Sequence, residues 1–246
     1  KHSNPETCRR CGSELQGPYC AQCGQVRQPK RINQQYVLSE IAGVLNLDRG
    51  ILYTIREMFL RPGKAVRRFI HEDRYRLVKP IIYLIVCSLI YSVSQQLADF
   101  EDGYIDYSFE DWENLAIGAI FGWISQNYGY ANIIMAIFIA LWIRLLFRKY
   151  DYNFYEILIL LCFVIGGVML IYAFFGLLES LSGWAVLQIG VNIGFIYSAW
   201  AIARFFDGSK PVNYLKALLS YVLGFISFVL VAMVLGTGID LVMGRI

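Results

Sequence analysis

Four cysteines at two matched spacings carry the clearest chemistry in this 246-residue chain: Cys8-Arg9-Arg10-Cys11 and Cys20-Ala21-Gln22-Cys23, a C-x2-C-x8-C-x2-C array. Each pair supplies two sulfurs from one tight turn, and the short spacer brings the turns together, which is the donor set of tetrahedral zinc. Gly12 and Gly24 follow the second cysteine of each pair, where a residue without Cβ takes the backbone angles such a turn requires. Four sulfur ligands leave no coordination position for water or substrate, so the spacing predicts a structural Zn2+ rather than a catalytic one. Disulfide pairing is the competing reading of these thiols; it is disfavoured where this end of the chain faces a reducing cytosol, as the charge pattern below indicates. Residues 7–25 are too few to bury a core, so metal binding is expected to supply the folding free energy of this module.

The elements that follow are built for lipid. Hydrophobic residues make up 57% of the chain and charged residues only 17%, which excludes an ordinary soluble globular protein and points to an all-α polytopic membrane protein. The net charge of +3 conceals a polarised layout: residues 1–80 hold fifteen Lys and Arg against seven acids, and residues 81–246 hold seven against twelve. The first long apolar stretch comes after the cysteines, so targeting is expected to come from the spans and not from a signal peptide.

Three regions result: 1–31, a zinc ribbon with a basic linker; 32–78, amphipathic interfacial helices; and 79–246, a transmembrane helical bundle. Within the second, Val37, Ile41, Val44 and Leu45 recur at helical spacing, and Ile51, Leu52, Ile55, Met58 and Phe59 continue the pattern after Gly50. Arg61-Pro62-Gly63-Lys64 breaks the helix, and Val66, Phe69 and Ile70 then form an apolar side opposite a basic one. The stripe Arg61, Lys64, Arg67, Arg68, Arg74, Arg76 and Lys79 is expected to meet anionic headgroups or a partner, each charge contributing on the order of 1 kcal/mol at the surface; nucleic acid is the less favoured ligand, and a plain topology anchor is the blandest role.

About five spans are expected, near residues 81–97, 131–147, 155–178, 184–206 and 214–235, with 115–124 left open as a re-entrant helix or part of the second span. The loop 99–113 holds seven acids and no Lys or Arg, whereas 144–149 and 204–216 are basic. This alternation predicts the zinc ribbon in the cytoplasm and the C-terminus outside.

Gln188 and Asn192 lie four residues apart on one helix face beside Gly190 and Gly194. Helix packing is the favoured reading, because a permeation path usually needs ionisable groups at mid-depth; a polar path for substrate or ion is the alternative. Catalytic groups are scarce. His2 and His71 are the two histidines, Cys87 and Cys162 sit in apolar spans, and no nucleophile elbow, P-loop or H-E-x-x-H occurs. Asp151, Glu156, Arg204, Asp207 and Lys210 could form a polar cluster if the fold brings them together.

Cys23-Gly24-Gln25, Asp48-Arg49-Gly50 with Tyr53-Thr54, Arg61-Pro62-Gly63-Lys64 and the run 75–80 together resemble a family of uncharacterised bacterial inner-membrane proteins with an N-terminal double-knuckle zinc ribbon. That resemblance implies architecture and not activity. Five spans with basic elements are also similar, by span count, to Yip1-type membrane proteins of membrane organisation. The expected function is a non-enzymatic membrane scaffold or assembly protein whose ribbon docks a protein partner at the anionic inner leaflet. A small oligomeric transporter or channel, and third a lipid-modifying membrane enzyme, are the alternatives.

Overall fold

A computed structural model describes residues 7, 8, 10–24, 50–98, 115–126 and 128–243. The predicted helix over 36–47 and the acidic loop 99–113 lie outside these residues. The chain divides into two compact units, Lys1–Leu45 and Asn46–Ile246.

The described part of the first unit holds the two cysteine turns, an isolated bridge between Thr7 and Glu14 and a small core of Cys8, Leu15 and Cys20 with Cys23 against it. All regular secondary structure among the described residues of the second unit is helical. It comprises α1 (Ile51–Leu60), α2 (Pro62–His71), α3 (Pro80–Ala98), α4 (Ala116–Gln126), α5 (Tyr128–Leu146), a short 3-10 turn (Arg148–Tyr150), α6 (Phe154–Ser182), α7 (Leu187–Asp207) and α8 (Pro211–Val242). Four of these, α3, α6, α7 and α8, are long and apolar enough to cross a membrane. The apolar stretch of α5, Tyr130–Leu146, is shorter.

Local sequence sets several helix ends. Asn153 and Glu156 form a reciprocal capping box at the start of α6: the Glu156 N–H donates to Asn153 Oδ1 at 2.9 Å and the Asn153 N–H to Glu156 Oε2 at 2.8 Å. Gly183, at φ 69°, closes the same helix in the left-handed conformation. Pro62 begins α2, where its missing N–H costs nothing.

Helix α6 is the hub, with α3, α5 and α7 packed around it, and α8 packs on α4, α5 and α7. The approach of α7 to α6 depends on Gly190 and Gly194, where an added Cβ would meet Phe175 at 2.6 Å and Tyr172 at 2.7 Å. This is the small-residue packing that the sequence pattern suggests.

The apolar face of α2 is covered by protein, and that of α1 in part: Ile51 and Met58 are buried while Leu52, Phe59 and Leu60 stay exposed. Met58, Val66, Phe69 and Ile70 belong to the core of the bundle, Phe69 meets Phe163 edge-on at 5.6 Å, and Tyr197 Oη donates to the Met58 carbonyl at 3.3 Å. The amphipathic pattern is real, and on α2 its apolar side packs against α6 and α7.

Acidic residues near the helix ends serve the backbone. The fully buried Asp240 accepts from the N–H groups of Ala116 at 2.7 Å and Ile117 at 3.3 Å, capping α4 from a residue more than a hundred positions away. Glu179 likewise accepts from the Leu187 N–H at 2.7 Å and caps α7. Such caps contribute on the order of 1 kcal/mol each.

Candidate metal centre and basic cavity

Cys8, Cys11, Cys20 and Cys23 place their sulfurs within 4.8 Å of one another. Two of the pairs, Cys8 with Cys23 and Cys11 with Cys20, are each 3.5 Å apart. A tetrahedral ion with metal–sulfur bonds of about 2.3 Å requires about 3.8 Å between sulfurs, inside the 3.5–4.8 Å range found here, so a single ion fits once the sulfur separations adjust by up to about 1 Å. Disulfides need about 2.05 Å, and all four cysteines are free.

The turns are those the glycines foretell. Gly12 and Gly24 have φ 75° and 70°, and their N–H groups donate to the Cys8 carbonyl at 2.8 Å and the Cys20 carbonyl at 2.9 Å. Ser13, which the cysteine spacing does not single out, places its hydroxyl 3.0 Å from Cys11 Sγ and 3.1 Å from Cys20 Sγ. That hydroxyl is the main reason the Cys20 thiol is lowered to about 6, and it also leads the lowering of Cys11. Both shifts favour the thiolate, the form that binds a metal.

The seven cations of the basic stripe part ways in the second unit. Arg68 pairs with Glu72 at 3.5 Å, Arg74 donates to the Ile70 carbonyl at 3.4 Å, Arg76 lies over the Tyr53 ring at 5.4 Å, and Lys79 is exposed beside α3. Arg61, Lys64 and Arg67 instead turn toward the end of α7 and line a cavity of about 450 Å3 with Arg204, Gly208 and Ser209. Arg67 Nη1 donates to the carbonyls of Arg204, at 2.7 Å, and Phe205, so it is fixed in the wall and also satisfies the end of α7.

The polar cluster considered from the sequence does not form. Glu156 is engaged in the α6 cap, and Asp151 is exposed at a left-handed turn. Asp207 pairs with Lys210 at 2.8 Å and accepts from the Ser209 N–H and hydroxyl. Arg204 departs from this group to face Arg61 and Lys64. His71 packs near Tyr152 with 5.8 Å between ring centroids.

Gln188 and Asn192 are both exposed on α7. Asn192 lines a second cavity, about 350 Å3 and mostly apolar, with Asn132, Met135, Tyr172, Phe195 and Tyr221; Gln188 does not line it. Asn132, buried at 7% exposure, is the polar group that the sequence pattern missed, since a lone asparagine in an apolar stretch carries no periodic signal.

Residues 48–92 match the family described as "Protein of unknown function (DUF3667)". The matched block contains α1, α2 and most of α3, and the structure gives it internal ties: Thr54 Oγ1 accepts from the Val78 N–H at 3.0 Å, and Tyr53 carries Arg76. The cysteine turns and Arg204 lie outside it. No curated protein matches the chain, and no solved structure matches it. What this region of the chain is similar to is therefore a family defined by sequence, on a helical membrane-type fold whose basic cavity draws three of its four cations from that matched segment.

Proposed function

We propose that this chain is a non-enzymatic integral membrane scaffold or assembly protein of a bacterial inner membrane, whose zinc-folded N-terminal module docks a protein partner on the cytoplasmic face. The observation that carries the reading is the closed four-sulfur cluster. A site with all ligand positions filled by thiolates folds a module and leaves its surface for recognition. Zinc suits four thiolates at these distances, being four-coordinate and redox-inert.

The charge layout supports the orientation. Arg61, Lys64, Arg67, Arg148, Lys149, Arg204, Lys210 and Lys216 belong to the end of the bundle where α2, the 147–153 turn and the α7–α8 turn meet. The opposite end, around Glu179 and Asp240, carries no Lys or Arg among the described residues. The positive-inside rule then puts the basic end in the cytoplasm. With α5 as a fifth span, short but within the range that crosses a bilayer, the C-terminus is outside and homo-oligomers remain compatible with the exposed apolar faces.

The test is capture from native membranes with the full-length chain and with Cys8→Ser/Cys11→Ser. Proteins that co-purify with the intact chain are expected to be lost with the double variant while the bundle stays inserted. Undiminished co-purification with the variant would remove the docking role.

A second reading, a small oligomeric transporter or channel, draws on the Asn132–Asn192 cavity. In proteoliposomes it requires potassium or carboxyfluorescein flux above that of protein-free vesicles, abolished by Asn132→Leu/Asn192→Leu. Flux that survives this pair would dispose of a path through that cavity.

A further inference from the structure

Four like charges gather around one cavity with no acid in its lining. Arg61 and Lys64 come from the α1–α2 junction and the first turn of α2, Arg67 from the next turn, and Arg204 from the last turn of α7. Arg61, Lys64 and Arg204 are exposed and Arg67 is half-buried, so solvent screens part of their mutual repulsion and a bound anion would relieve the rest. The nearest acid in sequence, Asp207, is already occupied by Lys210 and Ser209. From this convergence we infer that the α2–α7 cavity is a binding site for a phosphate group.

Several features fit phosphate in particular. Three guanidinium groups and one ammonium offer donors from different segments, which suits a tetrahedral anion with three free oxygens better than a planar carboxylate. Ser209 lies in the same wall, with its hydroxyl committed to Asp207, so the cations supply the donors. Arg67 is held by two backbone carbonyls, so part of the ordering cost is met before any ligand arrives. Glycine at two positions makes the arrangement sterically feasible. An added Cβ at Gly63 would meet the Arg204 carbonyl oxygen at 2.0 Å, and one at Gly208 would meet Arg204 Cδ at 2.4 Å.

The site lies at the basic end of the bundle, at the level where helices leave the apolar zone. Its phosphate can therefore belong to a lipid headgroup, such as a phosphomonoester lipid, or to a water-soluble phosphate. The inference deepens the headgroup part of the proposed function and rests on its membrane placement; it is independent of what the cysteine module docks.

The experiment uses the full-length chain in an uncharged detergent, titrated separately with inorganic phosphate and with short-chain phosphatidic acid, with binding read by calorimetry. Saturable binding is expected, weakened at least about tenfold by Arg61→Gln/Lys64→Gln/Arg204→Gln. It should be retained by Arg74→Gln/Arg76→Gln, which removes cations of the same stripe outside the cavity. Competition between the two ligands assigns a site that reads phosphate from either source, and binding of the lipid alone assigns it to headgroups. If the triple variant does not fold, the exposed single change Lys64→Gln is read instead, with a smaller loss expected. No saturable binding to the intact chain, or equal loss in the control pair, would overturn the site.

Discussion

Cys8→Ser with Cys11→Ser is expected to take bound zinc from one ion per chain to none, measured by elemental analysis of the purified protein. Two of four thiolates vanish, and the apparent binding free energy of a structural zinc site, about 10–16 kcal/mol in small peptides, is large against anything else the module contains. Its core is Cys8, Leu15 and Cys20 with Cys23 beside them, so the ligands themselves form most of what is buried. Limited proteolysis should therefore cut within residues 7–24 of the variant and spare them in the zinc-loaded parent. The bundle, a separate compact unit, should keep its thermal transition. One zinc per chain retained by the double variant would contradict the assignment of these cysteines as the ligand set.

Gly63→Ala should produce the other large effect, a marked fall in the thermal transition of the detergent-purified bundle. The new methyl would lie 2.0 Å from the Arg204 carbonyl oxygen, 2.2 Å from its carbon and 2.5 Å from the Phe205 nitrogen. All three are backbone atoms near the end of α7, so no rotamer change relieves the clash and α2 must move away. That displacement breaks the Arg67 bonds to the 204 and 205 carbonyls and loosens the burial of Val66 and Phe69. Overpacking commonly costs about 1–3 kcal/mol, and a backbone obstacle puts this site at the upper end. Gly238→Ala is the matched control: an added Cβ there meets nothing within 4 Å, and alanine gains up to about 1 kcal/mol over glycine in a helix. A Gly63→Ala protein as stable as the parent would show that α2 does not dock on α7 in this way.

Much of the architecture could be read locally. The α6 start follows from Asn153 and Glu156 three residues apart, because a capping box depends on neighbours in the chain. Four of the five expected spans follow from runs of apolar residues, since a bilayer selects for length and composition, and the one near 131–147 is the shorter apolar helix Tyr130–Leu146. Residues 115–124 resisted assignment for a related reason. As α4, Ala116–Gln126, that segment is held by Asp240 and by Gly236, where an added Cβ would meet Ile117 Cα at 2.7 Å. A helix held from the far end of the chain shows no such support in its own sequence.

The basic stripe shows the same limit. Helical periodicity correctly separates Val66, Phe69 and Ile70 from the cations of α2, but it does not say whether lipid or protein covers the apolar side. In the structure α6 and α7 cover it. With that side occupied, the chemistry that remains available on α2 is its charge.

The sequence by itself determined the donor set for a metal, because two C-x2-C turns and a short spacer constrain four sulfurs through covalent geometry alone. It also determined a helical, membrane-type chain, because hydropathy and periodicity are sums over adjacent residues. Only the tertiary structure decided which charges meet. Arg204 joins Arg61, Lys64 and Arg67 across some 137 positions, and Asp240 reaches α4 across 124. Such meetings depend on how close helices pack, which in turn depends on glycines such as Gly63 whose significance lies in the atoms opposite them.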